Sequence, residues 1–274
     1  EVIDPHGHLV TLNWHQATRL ERFAKEPLVL PDWLGQTDWE ATVELGSRRI
    51  AELPSVSTKK TLRELWPLRA QASVQLAHKA GAEPVGDVQV KTSWDPNTYD
   101  PRRADCSQRV RPEVELKGKL REGLFVSELR GSAGGKQMFN VKTQLGSKLA
   151  EWLVGQPLQI TRAQITANMQ DFDLAQWPIT CEQAAGTLQA AFSATDLFHK
   201  SAKFHAKLGG RGIVVGPSLP IDFETQAQAL PSGLDVSMRI DRIGGNALIK
   251  GSVPVSFYVH DPATSVNPDG NLAL

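Results

Sequence analysis

The chain has 274 residues, 30 basic and 30 acidic side chains and a hydrophobic content of 41%, enough to bury a core in one large domain or two modest ones. Balanced charge gives the whole molecule no general attraction to nucleic acid or anionic lipid. The longest apolar runs, such as Ile213-Val214-Val215, fall far short of the ~18 residues that a helical membrane span needs.

The first third reads as helical. Asn13 is a fair N-cap, and Trp14, Ala17, Leu20 and Ala24 follow at helical spacing until Pro27. Thr37-Asp38-Trp39-Glu40 has the capping-box pattern, and Val43, Ile50 and Leu53 continue one helical face up to Pro54. Thr61-Leu62-Arg63-Glu64 repeats that pattern before Pro67. Residues 1–67 are therefore expected to form a helical N-terminal segment and residues 68–274 an antiparallel β domain.

After Pro67 the apolar period shortens from that of a helix to that of a strand. Ala70, Ala72, Val74 and Leu76 alternate with polar neighbours, as do Val88, Val90, Thr92 and Trp94, then Val114, Leu116, Gly118 and Leu120. Arg121-Glu122-Gly123 turns the chain. One helix is expected over residues 144–154, with Leu145, Leu149, Trp152 and Leu153 on a face and Gly155 behind it. Strand patterns resume at Pro157, and the change of phase between Ile160 and Ile165 predicts a bulge near Thr161 to Gln164. Strand follows strand to the end with no long helices between, which predicts a mainly β fold, an antiparallel sandwich or open barrel, and disfavours a parallel α/β sheet. The residues after His260 read as a loose end or arm.

Few motifs carry chemistry. Asp4-Pro5-His6-Gly7-His8 follows a short apolar run, and alternate residues of a strand share a face, so His6 and His8 could present two imidazoles to one metal ion. The stretch resembles the first-strand D-x-H-x-H motif of the amidohydrolase family. The resemblance implies a divalent metal at His6 and His8, hydrolytic chemistry and a β/α barrel. The later sequence lacks the strand–helix units of such a barrel, and a third or fourth ligand motif is missing among His15, His78, His199, His205 and His260. Gly209-Gly-Arg-Gly-Ile-Val-Val-Gly216 precedes a strand rather than a helix, so it reads as a hairpin bend and not a phosphate loop. Gly131 to Gly135 reads as another turn. Cys106 and Cys181 are too far apart for a zinc motif; bonded, they would contribute ~4 kcal/mol through a closed loop of about 75 residues.

Two binding surfaces can be read. Lys200, Lys203, Lys207 and Arg211 lie in an acid-free stretch, and on a strand Lys203, His205 and Lys207 point the same way, a basic stripe suited to phosphates of a nucleic acid. Trp14, Trp33, Trp39 and Trp66 cluster in the first third, as core residues or as a protein contact patch. No complete catalytic constellation and no cofactor motif emerges. The leading expectation is a non-enzymatic binding or assembly protein working through protein–protein contacts or self-assembly. The alternatives are the metal-dependent hydrolase and the nucleic-acid binder. The sequence starts at Glu1 without a signal-peptide pattern, and both an exported or cell-envelope location and a cytoplasmic one are compatible with it.

Overall fold

The computed structural model describes residues 2–4, 7–17, 34–49, 68–94, 112–176, 184–197, 202–230, 233–242 and 244–253. Fourteen strands join one open sheet in strictly sequential order. They are β1 (Val2–Asp4), β2 (Gly7–Ala17), β3 (Asp38–Arg49), β4 (Leu68–His78), β5 (Val85–Trp94), β6 (Pro112–Arg121), β7 (Leu124–Ala133), β8 (Lys136–Ser147), β9 (Ile160–Asp173), β10 (Ala184–Thr195), β11 (Lys203–Val215), β12 (Ile221–Leu230), β13 (Gly233–Arg242) and β14 (Gly245–Val253). The helix α1 (Leu149–Leu153) and a 3-10 turn (Leu174–Gln176) interrupt them. Two hairpins close through two-residue turns with both residues at positive φ, Glu122-Gly123 (52° and 71°) and Gly134-Gly135 (58° and 79°), the geometry that matches strand twist. The mainly β, antiparallel expectation holds. Among the described residues each strand pairs with its sequence neighbours.

Residues 13–17 and 38–49, expected to be helical, lie in β2 and β3. The cause is periodicity. Positions i and i+4 share a face in a helix and in a strand alike, so Trp39 and Val43 fit both, and Ala41 between them is apolar too. Glu40, Thr42 and Glu44 complete the alternation. The third expected helix, the 54–67 boundary, the C-terminal arm and both cysteines lie outside the described residues. The helix expected over 144–154 is shortened to α1 because β8 runs on to Ser147.

Strand β9 carries a register slip C-terminal to the Thr161 to Gln164 stretch. Pairing of β9 with β10 slips between Met169 and Phe172, where Asp171 has φ 46°. The Gly209 to Gly216 stretch is not a hairpin bend. Residues 209–215 continue β11, with an extra residue at Gly212 (φ 58°) against both neighbouring strands. Opposite it, Gly186 has φ 104°, and a Cβ there would come within 2.5 Å of the Gly212 carbonyl oxygen.

The chain divides into two compact units, one of Glu1–Asp95, Val114–Leu129 and Gln144–Thr161, the other of Pro96–Glu113, Arg130–Thr143 and Arg162–Leu274. In the first, Trp39, Ala41 and Leu153 form a core with Leu34 and Leu76 packed on it, so α1 covers one end of the sheet face. Glu83 accepts a 3.2 Å hydrogen bond from the Ala150 backbone N–H, tying the start of α1 to the β4–β5 connection. In the second, Ala133, Met138, Phe172, Leu174 and Ile213 form the core, beside the bulges of β9 and β11. Bulges bend strands, which here brings Phe172 and Ile213 into one cluster.

Candidate functional site

Strand register sorts the side chains of the second unit onto two unlike faces. On one face, Ala206 stands beside Ala227, Val236 and Gly251 across β11 to β14. One row along the strands lie Leu208, Thr225, Met238 and Ile249; on the other side lie Phe204, Ala229, Leu234 and Val253. Small residues thus form a floor between two bulkier rows. Four strands at about 4.8 Å spacing give the floor a length of roughly 14 Å. Beyond it, Phe223 reaches across Gly210, whose missing side chain leaves room for the ring, and Phe192 meets Phe204 with ring centroids 6.3 Å apart.

In these three rows Thr225 alone carries a polar side-chain atom. Most of the side chains are half-buried, Ala229 is buried at 1% exposed, and Leu208 and Ile249 are 41% and 56% exposed. The rows are thus apolar without being sealed.

The reverse face is polar. Lys203, His205 and Lys207 of β11 stand beside Glu224, Gln226 and Gln228 of β12, followed by Asp235, Ser237, Arg239 and Asp241 of β13. Both signs of charge occur on this face, and Asp222 stands directly opposite Asp241. Lys207 Nζ lies 2.7 Å from Glu224 Oε1, which also accepts from Gln226 Nε2 at 3.0 Å. The Lys207 hydrogen bond, helped by Gln226, holds the Glu224 carboxyl below the usual glutamate range. Arg239 Nε is 2.9 Å from Asp241 Oδ2, and Ser252 donates to Asp235 at 2.7 Å. Of the basic stripe, Lys203, Lys207 and Arg211 are exposed on β11, and Lys200 lies outside the described residues.

The first unit has the same two-faced sheet. Leu12, Val43, Val74 and Val88 are neighbours on one face; Asn13, Thr42, Gln75 and Asp87 on the other. Trp14 stacks on Trp39 at 5.3 Å, and Trp39 on His78 at 5.5 Å. Trp39 donates its indole N–H to the Leu34 carbonyl. His78 is buried, and its Nδ1 lies 3.0 Å from the Thr37 carbonyl oxygen; a carbonyl only accepts, so Nδ1 carries the proton. Of the four tryptophans singled out, Trp39 is core, Trp14 is 42% exposed on top of it, and Trp33 and Trp66 lie outside the described residues. The half-open apolar rows of β11 to β14 had a readable signal, alternation in four successive strands broken in β14 at Leu248, that single-motif searches pass over.

His8 sits in β2 opposite Ile3, and His6 lies outside the described residues. Among the described residues, no group of three or more His, Cys, Asp or Glu side chains gathers as a metal site. A cavity of about 580 Å³ in the first unit is lined by His15, Asp38, Glu40 and Glu83 among others. No helix among the described residues is long and apolar enough to cross a membrane. No protein family, curated protein or solved structure matches the chain.

Proposed function

We propose that the protein is a non-enzymatic binding protein whose apolar sheet rows over β11 to β14 take a hydrocarbon chain. One observation carries the reading: the rows are half-open and hold a single polar side-chain atom, on Thr225, among twelve positions. Protein–protein interfaces typically combine apolar contact with direct hydrogen bonds, on the order of ten each, and are enriched in Tyr, Trp and Arg. These rows supply none of those residues. An alkyl chain asks for no hydrogen bonds and gains about 0.8 kcal/mol for each methylene it buries. The floor of Ala206, Ala227, Val236 and Gly251 gives it a line of lowest height across the strands.

The test is titration of the purified chain with a fluorescent long-chain fatty acid. Saturable binding is expected. Ala227→Trp, which fills the floor, and Leu208→Asp, which charges a wall, are each expected to weaken it by about tenfold or more, the equivalent of ~1.4 kcal/mol. Gln228→Glu, on the reverse face, is expected to leave it unchanged. Absence of saturable binding, or equal binding by all three variants, defeats the proposal. The protein-assembly reading draws its support from a separate feature, the exposed edge of β14.

A further inference from the structure

The strand β14 pairs with β13 along nine residues without a register break, and it is the last strand of the sheet among the described residues. Residues Gly245 to Lys250 are all exposed. An edge strand presents a row of backbone donors and acceptors, and natural edges are usually blunted by proline, bulges or charges. Within Gly245–Val253 there is no proline and no bulge, and Lys250 is its one charged residue.

The apolar residues of β14 are unusual in their placement. Ile249 belongs to the apolar rows, whereas Leu248 points to the polar face, in line with Gly209, Glu224 and Arg239. Leu248 is 64% exposed and Ile249 56%. The same point of the edge is therefore apolar on both faces. A second strand laid alongside would cover both side chains, which neither face can do for itself.

We infer that the outer edge of β14 pairs antiparallel with β14 of a second copy of this chain, centred on Leu248. The strand is self-complementary in that register. Leu248 meets its own copy on the polar face, Ala247 meets Ile249 on the apolar face, and Lys250 lies opposite Asn246 rather than opposite another cation. Gly245 and Gly251 close the two ends. Centring on Lys250 sets like charges directly opposite, which destabilises a sheet. Centring on Ile249 sets Lys250 against Leu248. A symmetric edge pairing of this kind is an isologous contact, and it extends each apolar face without inverting it. The inference does not depend on hydrocarbon binding and rests on a different observation.

Native mass measurement and cysteine cross-linking test it together, in a chain with Cys106 and Cys181 replaced by serine. The parent chain is expected to show a dimer that grows with concentration, and Leu248→Lys is expected to lower the dimer fraction by about tenfold or more at a given concentration. Under mild oxidation Leu248→Cys is expected to give a covalent dimer, because its two copies face each other, while Asn246→Cys alone, facing Lys250, is expected to give little. A parent that stays monomeric, a dimer untouched by Leu248→Lys, or cross-linking of Asn246→Cys in preference to Leu248→Cys overturns the inference. Fatty-acid binding reads the other proposal independently, so either can fail alone.

Discussion

The two units use the same amphipathic sheet to different ends. In the first, α1 covers the apolar face at Trp39 and Ala41, so that Trp39 and Leu153 are 8% and 7% exposed, while Val43 further along β3 is 36% exposed. In the second, Leu208 and Ile249 of the corresponding kind of face remain 41% and 56% exposed. The sequence pattern of the strands is alike, and among the described residues α1 is laid over the apolar side chains of the first unit. A strand's alternation therefore specifies which side is apolar but not whether that side becomes core or surface.

Truncation at the closed end has the largest expected effect. Trp39→Ala removes the centre of a core and should cost about 3–5 kcal/mol, measured as a lower denaturant midpoint. A loss below about 1 kcal/mol would erase the distinction between closed and open faces. Next is Gly186→Ala in the second unit. It puts a side chain at φ 104° against the Gly212 carbonyl, and overpacking of this sort costs about 1–3 kcal/mol. An unchanged midpoint would show that the β10–β11 bulge is not held as described.

Leu208→Asp, on the open rows, should change folding stability by about 1 kcal/mol or less, while weakening fatty-acid binding by about tenfold or more. A large stability loss would mean that this face is core after all. The smallest effect is expected on the polar face. Because the Glu224 carboxyl is held below its ordinary range by Lys207, the pair adds stability above the ordinary glutamate range and loses it as pH falls through the lowered value. Lys207→Met should flatten that part of the acid unfolding profile slightly, and added salt should do the same in the parent. Identical profiles for parent and variant would remove the pair from the account.

Much of the sheet was legible from residues alone. Val74, Val88 and Leu116 announce strands because their neighbours are polar, and the Glu122-Gly123 turn is written where the chain reverses. The strands β2 and β3 were not, because Asn13 and the Thr37 to Glu40 pattern imitate helix caps and Trp39 with Val43 satisfies two periods at once. Bulges escaped for a different reason. Register is a relation between strands, and Asp171 and Gly212 reveal their extra residues only when the opposing chain is in place. The candidate site was hidden in the same way. Ala206, Ala227, Val236 and Gly251 are far apart in sequence and become one line only through pairing, whereas the histidine and lysine motifs that stand out in one dimension lie partly outside the described residues, at His6 and Lys200.

Because each described strand's partner is the one before or after it, none of the described hairpins has to be threaded between two others. Such a chain can acquire structure by zippering outward from any early turn, with little closure entropy at each step. Gaining or losing a hairpin at either end would lengthen or shorten the surface while the remaining pairings stay as they are, so reach can be adjusted by duplication without redesign.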